Sequence, residues 1–340
     1  MSDSLLDSSE ALKPLSFTGD SLIVLDQRLL PAEESYLECK NYKEVINAIK
    51  DMAVRGAPCI GFAGAWACCL ATKESEDPNK LLVLFDSVNE ARPTAVNLSK
   101  AVDRMKECLK QKGVASLVKE ANAIYQEDLK MCKLMSSYGL TVLPNKSEFS
   151  IITHCNTGSL ATAGEGTALG VIKLLARHKK KVRIYATETR PYLQGARLTA
   201  WELQRAEVAV SLMPDSAASF LMKTTKIDAI FVGADRVVKN GDTANKIGTY
   251  MLALAAKEHG VPFYVVAPST SFDLSLETGD EIKIEMRAPD EVTELKGNKI
   301  APSGIDVYNP SFDITPGKLI TAFITEKGVI AVEKLASFKF

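Results

Sequence analysis

One cysteine stands where reactive chemistry is easiest to build. In the run IITHCNTGSLATAGEGTALGVIKLL, residues 151–175, an apolar stretch ends at Thr153 and leads into His154, Cys155 and Asn156. Small residues follow (Gly158, Ser159, Ala161, Thr162, Ala163, Gly164, Gly166), then a helical apolar pattern through Leu169, Ile172 and Leu175. A strand that ends in a small-residue turn before a helix is where open α/β sheets hold ligands. The free N–H groups of a helix start attract phosphate, and the same positive end lowers the pKa of a nearby thiol and makes it reactive. A free cysteine is otherwise a small buried hydrophobe. The place of Cys155, at the strand-to-turn junction, is what makes it a candidate.

Three other apolar runs end in polar residues: Thr187-Glu188-Thr189-Arg190, followed by Pro191 to Gly195; Asp215-Ser216; and Gly233-Ala234-Asp235-Arg236. If the four runs are neighbouring parallel strands, these ends share one rim. Asp235, after a glycine at a strand end, suits a general acid or base; the commoner work of an isolated aspartate there is to cap a turn. Three turns are rich in cations or backbone donors: Arg55-Gly56-Ala57, Arg92 before Pro93, and Asn245-Lys246-Ile247-Gly248-Thr249 after Asn240-Gly241-Asp242. Each cation alone reads as surface charge. Together with a thiol and a carboxylate they point to a phosphorylated small molecule.

The elements that must position these groups fall into two kinds. Short apolar runs at 15–40 read as a small β element, and helical periods dominate from Tyr42 to about Tyr138, at 42–52, 63–73, 95–111 and 115–137, with a tight break at Arg55–Pro58. After Asn145, strands expected at 150–153, 183–187, 207–212, 229–232, 262–266 and 319–324 alternate with helices, which implies βαβ units and a mostly parallel sheet. The expectation is a disordered tail at 1–11, a helical domain with a β extension at 12–145, and a Rossmann-like catalytic domain at 146–340. No GxGxxG opens the second half, so a plain dinucleotide site is unsupported.

Composition narrows the function classes. With 46% apolar and 24% charged residues and a net charge of -1, the 340-residue chain reads as a globular protein without the bulk charge of a nucleic-acid binder. The basic run Lys179, Lys180, Lys181 and Arg183 reads as a solvated helix end. Seven cysteines without a CxxC pair, beside three histidines, argue against a disulfide framework or a zinc site and for a reducing compartment. The first ten residues carry no basic signal-peptide region, and no apolar run reaches the length of a membrane span.

Longer stretches resemble the 5-methylthioribose-1-phosphate isomerases: VRGAPCIG at 54–61, RPTAVNL at 92–98, THCNTGSLAT at 153–162, GEGTALGVI at 164–172, ETRPYLQGARLTAWEL at 188–203, GADRVVKNGDTANKIGTY at 233–250 and IAPSGIDVYNPSFDITP at 300–316. The resemblance runs in order from about residue 12 through both halves. It implies an aldose–ketose isomerase of methionine salvage, acting on a small phosphorylated sugar with no metal or organic cofactor. The family's catalytic pair falls on Cys155 and Asp235, and its substrate contacts on Arg55, Gly56, Ala57, Arg92, Gln194, Asn245 and Lys246. The family pattern further implies a Rossmann-like domain after a helical one, a cytoplasmic homodimer with nuclear presence left open, and no nucleic-acid or membrane partner. Asp235 is expected to sit in an apolar surround that keeps it protonated. Pro214, Ala217 and Cys59 depart from the usual family residues, and 73–84 reads as an added loop. Two rivals share the fold: the regulatory subunits of the translation-initiation guanine-nucleotide exchange factor, which lack the Cys–Asp pair in this context, and ribose-1,5-bisphosphate isomerase, which needs cations for a second phosphate.

Overall fold

A computed structural model describes residues 12–93, 95–178, 181–338 and 340. The expected tail at 1–11, and Lys179 and Lys180 of the basic run, lie outside the described residues. The described chain divides into two compact units, one of residues 12–133 with 157–166, the other of 134–156 with 167–340.

The first unit opens with β1 (Leu15–Phe17), β2 (Leu22–Leu25) and β3 (Tyr36–Cys39), an antiparallel sheet in that order. Helices α1 (Tyr42–Lys50), α2 (Ala57–Ala71), α3 (Pro78–Asn89), α4 (Val96–Lys112) and α5 (Leu117–Thr141) follow, and α5 runs on into the second unit. Helix α2 carries no charged residue and is buried from Cys59 to Ala71. A helix apolar on every side belongs at the centre of a bundle, and its Phe62 and Trp66 form an aromatic cluster with Phe17 and Tyr125. The added loop expected at 73–84 is corrected here: from Pro78 the segment is α3. Asp77 caps it by accepting the Asn79 N–H, and Pro78 occupies the first turn, where its missing N–H costs nothing.

The second unit is built on a seven-stranded sheet. Its elements begin with β4 (Glu148–Thr153), α6 (Ala168–His178), β5 (Lys181–Thr187), α7 (Ala200–Arg205), β6 (Val210–Met213), α8 (Ala218–Thr224) and β7 (Ala229–Val232). Next come β8 (Arg236–Val238), β9 (Thr243–Lys246), α9 (Thr249–Glu258), β10 (Phe263–Val266), β11 (Phe272–Asp273), α10 (Asp290–Thr293), β12 (Glu294–Leu295) and β13 (Asn298–Lys299). The unit closes with β14 (Phe312–Thr315), β15 (Ala322–Thr325) and β16 (Gly328–Ile330). The sheet order is β16-β15-β10-β7-β4-β5-β6, and every pairing is parallel except β15 with β16. From β6 to β15 this is the doubly wound order of Rossmann-type sheets, with the chain reversing direction across the sheet between β4 and β7. The expected α/β class with a parallel sheet holds.

Two strand readings shift. The strand expected from Glu207 starts at Val210, because α7 ends in a left-handed residue: Glu207 lies at φ +55°, and the Glu207 and Val208 N–H groups donate back to Gln204 and Leu203. The strand expected from Leu319 starts at Ala322, after a 3₁₀ turn at Gly317–Leu319. A second sheet, β11-β8-β9-β14, has no counterpart in the sequence reading.

Candidate active site

The carboxyl ends of β7, β4, β5 and β6 are neighbours, so the four polar strand ends do come to one rim of the sheet. Cys155 follows β4 and Asp235 follows β7, the two strands on either side of the reversal point, where open α/β sheets bind ligands.

Cys155 is 7% exposed and sits at φ +60°, the left-handed region that costs a side-chain-bearing residue about 1–2 kcal/mol. Both of its peptide groups are anchored. Its N–H donates to Thr189 Oγ1 at 2.9 Å, and its carbonyl accepts from Thr199 Oγ1 at 2.5 Å. Thr189 and Leu193 also have φ near +60°, and Gly195–Thr199 forms a π-helical turn, a feature that gathers at functional sites. The loop after β5 is therefore strained along the stretch that holds the thiol. Asp215, after β6, keeps it in place by accepting the Thr189 and Arg190 N–H groups at 2.7 Å each.

Gly195 shows how close the packing is. A Cβ there would lie 1.7 Å from the Thr187 carbonyl oxygen. Gly195→Ala is expected to cost about 2–3 kcal/mol in urea unfolding; an unchanged midpoint would show that the loop relaxes freely.

His154 is buried and bridges two loops. Its Nε2–H donates to the Ile247 carbonyl at 2.9 Å, so Nδ1 accepts from the Thr187 hydroxyl at 2.6 Å. Burial holds this imidazole below the ordinary histidine range, against the opposing Asp215 carboxylate. The bridge ties the thiol turn to the β9–α9 turn, which follows Asn245 and Lys246 at the end of β9. Asn245 is buried and donates to Thr249 Oγ1 at 3.0 Å. Lys246 is half-buried, donates to the Ser311 carbonyl at 3.0 Å, and lies over the Phe312 ring. Asp313 accepts the Gly248 and Tyr250 N–H groups at the start of α9, and burial pushes its carboxyl up to about 6 despite these donors.

Gln194 is 7% exposed, and its buried Oε1 has no hydrogen-bond partner among the described residues. An orphaned buried acceptor is costly and suits a ligand hydroxyl. Asp235 donates its N–H to the Ala244 carbonyl at 3.0 Å, which fixes its backbone beside β9. Asp235 is exposed, so the apolar surround expected for it is not found among the described residues, and that expectation is corrected.

The remaining candidates lie in the first unit. Arg55 is buried and Arg92 half-buried. Gly56 caps α2 at φ +88°, where a Cβ would lie 2.6 Å from Ala161, and Ala57 begins the helix. This helix start is tied to the 157–166 segment of the same unit: the Cys59 N–H donates to the Ala161 carbonyl and the Gln27 amide to that of Leu160. Asp128 accepts the Ala163 N–H. Glycine at position 56 is thus what lets the helix start lie close against Ala161.

Sequence reasoning did not single out Thr199, and it left His154, Thr189 and Asp215 as parts of polar strand ends. Their signal was modest: threonines and an aspartate in loops are ordinary capping residues until the backbone they anchor is seen. Among the described residues no group of three or more His, Cys, Asp or Glu side chains could hold a metal ion, and no helix is long and apolar enough to cross a membrane.

Comparison with known proteins gives this geometry a family. Residues 53–332 match the Initiation factor 2 subunit family. The chain is 50% identical over 327 residues to methylthioribose-1-phosphate isomerase of Thermosipho africanus, covering 93% of this chain and 94% of the relative. The crystal structure of 5-methylthioribose 1-phosphate isomerase from Pyrococcus horikoshii superposes with a TM-score of 0.90 at 41% identity, covering 99% of this chain and 96% of that one. A structure named translation initiation factor eIF-2B, subunit delta, from A. fulgidus matches with a TM-score of 0.85 at 38% identity, covering 96% of this chain and all of that one. The chain belongs to the methylthioribose-1-phosphate isomerases, within the Initiation factor 2 subunit family.

Proposed function

We infer that this chain converts 5-methylthioribose 1-phosphate to 5-methylthioribulose 1-phosphate, with Cys155 and Asp235 carrying the chemistry. The observation that supports the pair most is their placement after β4 and β7, on either side of the sheet's reversal point. In this substrate the phosphate blocks the anomeric carbon, so the ring opens only if its oxygen gains a proton, and hydrogen must then move from C2 to C1. Asp235 supplies the ring-oxygen proton. Cys155 acts at C2, as a thiolate base that leads to a phosphoenolate or as the group that guides a hydride-like transfer; both routes are open to this residue set. Within the second unit the Gln194 Oε1 suits a sugar hydroxyl and Lys246 with Asn245 suits a phosphate; within the first unit Arg55, Arg92 and the Gly56 and Ala57 backbone are donors that suit an anion.

The finer readings have their own support. Seven buried free thiols suit a reducing cytoplasm. Phe220 on α8, with Met251 and Leu254 on α9, are exposed apolar side chains that suit a second copy in a homodimer.

Binding of phosphate by cations and backbone donors predicts a metal-independent reaction. Conversion should survive exhaustive treatment with EDTA, and inorganic sulfate should compete with substrate. Loss of conversion on chelation, restored by a divalent cation, would contradict this reading.

A further inference from the structure

Behind the Cys155 turn lies a buried ion pair that no step above uses. Lys173 of α6 and Glu202 of α7 meet at 3.0 Å, with side-chain exposures of 8% and 1%. Such a pair is poor evidence for stability, because desolvating both charges offsets most of their attraction, and apolar residues of like volume do as well or better. Its geometry leads to the thiol. Glu202 Oε2 accepts from Lys173 Nζ, and Glu202 Oε1 accepts from Asn156 Nδ2 at 2.8 Å. Asn156, the residue after Cys155, is buried and also donates to Thr199 Oγ1 at 3.3 Å. Thr199 in turn donates to the Cys155 carbonyl.

Both routes from the carboxylate end on the turn that keeps Cys155 at φ +60°. A cysteine stays in that region only where its surroundings over-determine it. Thr189 fixes the N–H side of Cys155. The carbonyl side depends on Thr199, and Thr199 and the Glu202 carboxylate are joined by the Asn156 amide, which donates to both.

We propose that Glu202, charge-balanced by Lys173, is a positioning residue that holds the Asn156 amide and through it the thiol of Cys155 in place for the reaction. The proposal rests on the reading of Cys155 as catalytic. It assigns the pair a task that packing alone does not explain: both carboxylate oxygens are used, one to balance charge and one to orient the reactive turn.

Two double variants test it. Lys173→Met with Glu202→Leu, and Lys173→Met with Glu202→Gln, each remove both buried charges together, so neither leaves one unpaired. Leucine deprives Asn156 of its acceptor at position 202, whereas glutamine retains one there. The leucine variant is expected to lose at least ~30-fold in kcat, with KM within about threefold, the scale of a small misplacement of a reacting group. The glutamine variant should recover most of that loss at a similar melting temperature. The rate at which iodoacetamide alkylates Cys155, resolved by peptide mass spectrometry, should change in the leucine variant and return in the glutamine variant. If the leucine variant does not fold, Glu202→Asp, which keeps the charge and shortens its reach, should lower kcat with KM held.

Matching kcat and matching alkylation rates in the two double variants would overturn the proposal. The two readings also fail separately. Altered alkylation beside a fully active Cys155→Ser enzyme would keep the positioning role and remove the thiol from catalysis. An inactive Cys155→Ser enzyme beside matching double variants would do the reverse.

Discussion

Cys155→Ser is expected to fold normally and to lose at least ~100-fold in turnover, the scale of removing one acid–base group. The fold should survive because the contacts that hold this turn are made by backbone atoms: the Cys155 N–H to Thr189 and the Cys155 carbonyl from Thr199. Serine keeps both, and its hydroxyl is close in size to the thiol. What it lacks is a thiol, which ionises far more readily than a hydroxyl and can act on a C2 hydrogen. Steady-state turnover and a thermal melt, run on the same preparation, separate the two effects. A melting temperature within a few degrees of the parent protein, together with the loss of turnover, is the expected pair. Turnover close to the parent value would remove Cys155 from the chemistry.

Asp235→Asn is the second large effect. The amide keeps the shape of the carboxyl but has no acid proton for the ring oxygen. Turnover should fall at least ~100-fold while substrate affinity stays within about tenfold, the pattern of a group that acts mainly in the transition state. The exposure of Asp235 sharpens this prediction. Asp235 is exposed among the described residues, so a bound sugar is the group that would cover it during the reaction. Isothermal titration of the variant with substrate reads the affinity directly. Lost binding would make Asp235 a substrate-holding group in place of an acid.

Much of the second unit was legible because its strands carry their own signal. Ala229–Val232 is four buried apolar residues between turns, and it is found where the pattern put it. The polar ends of β4, β5, β6 and β7 were readable as ends because parallel strands are apolar throughout and change character abruptly at the rim. The small sheet of β11, β8, β9 and β14 escaped for the opposite reason. β9 reads Thr-Ala-Asn-Lys, polar and short, and becomes a strand only through its pairing with β14 and β8. The start of helix α3 is spelled out by Asp77-Pro78, but 73–84 departs from the family pattern and on that ground reads as an added loop. The thiol turn was legible in outline. Its left-handed backbone was not, since nothing in a cysteine's neighbours announces a positive φ; it follows from Thr189 and Thr199, which are distant in sequence and meet Cys155 only in the fold. The exposure of Asp235 was hidden for a similar reason: a strand-end motif gives position along the sheet, not depth.

The central claim, that this chain isomerises a C1-phosphorylated methylthio sugar, is tested most directly by incubating the protein with 5-methylthioribose 1-phosphate and following the phosphorus NMR spectrum. The resonance of the anomeric phosphate should be replaced by that of a primary phosphate ester, with no inorganic phosphate released. An anomeric signal that persists at high enzyme concentration would contradict it and turn attention to a binding or assembly role.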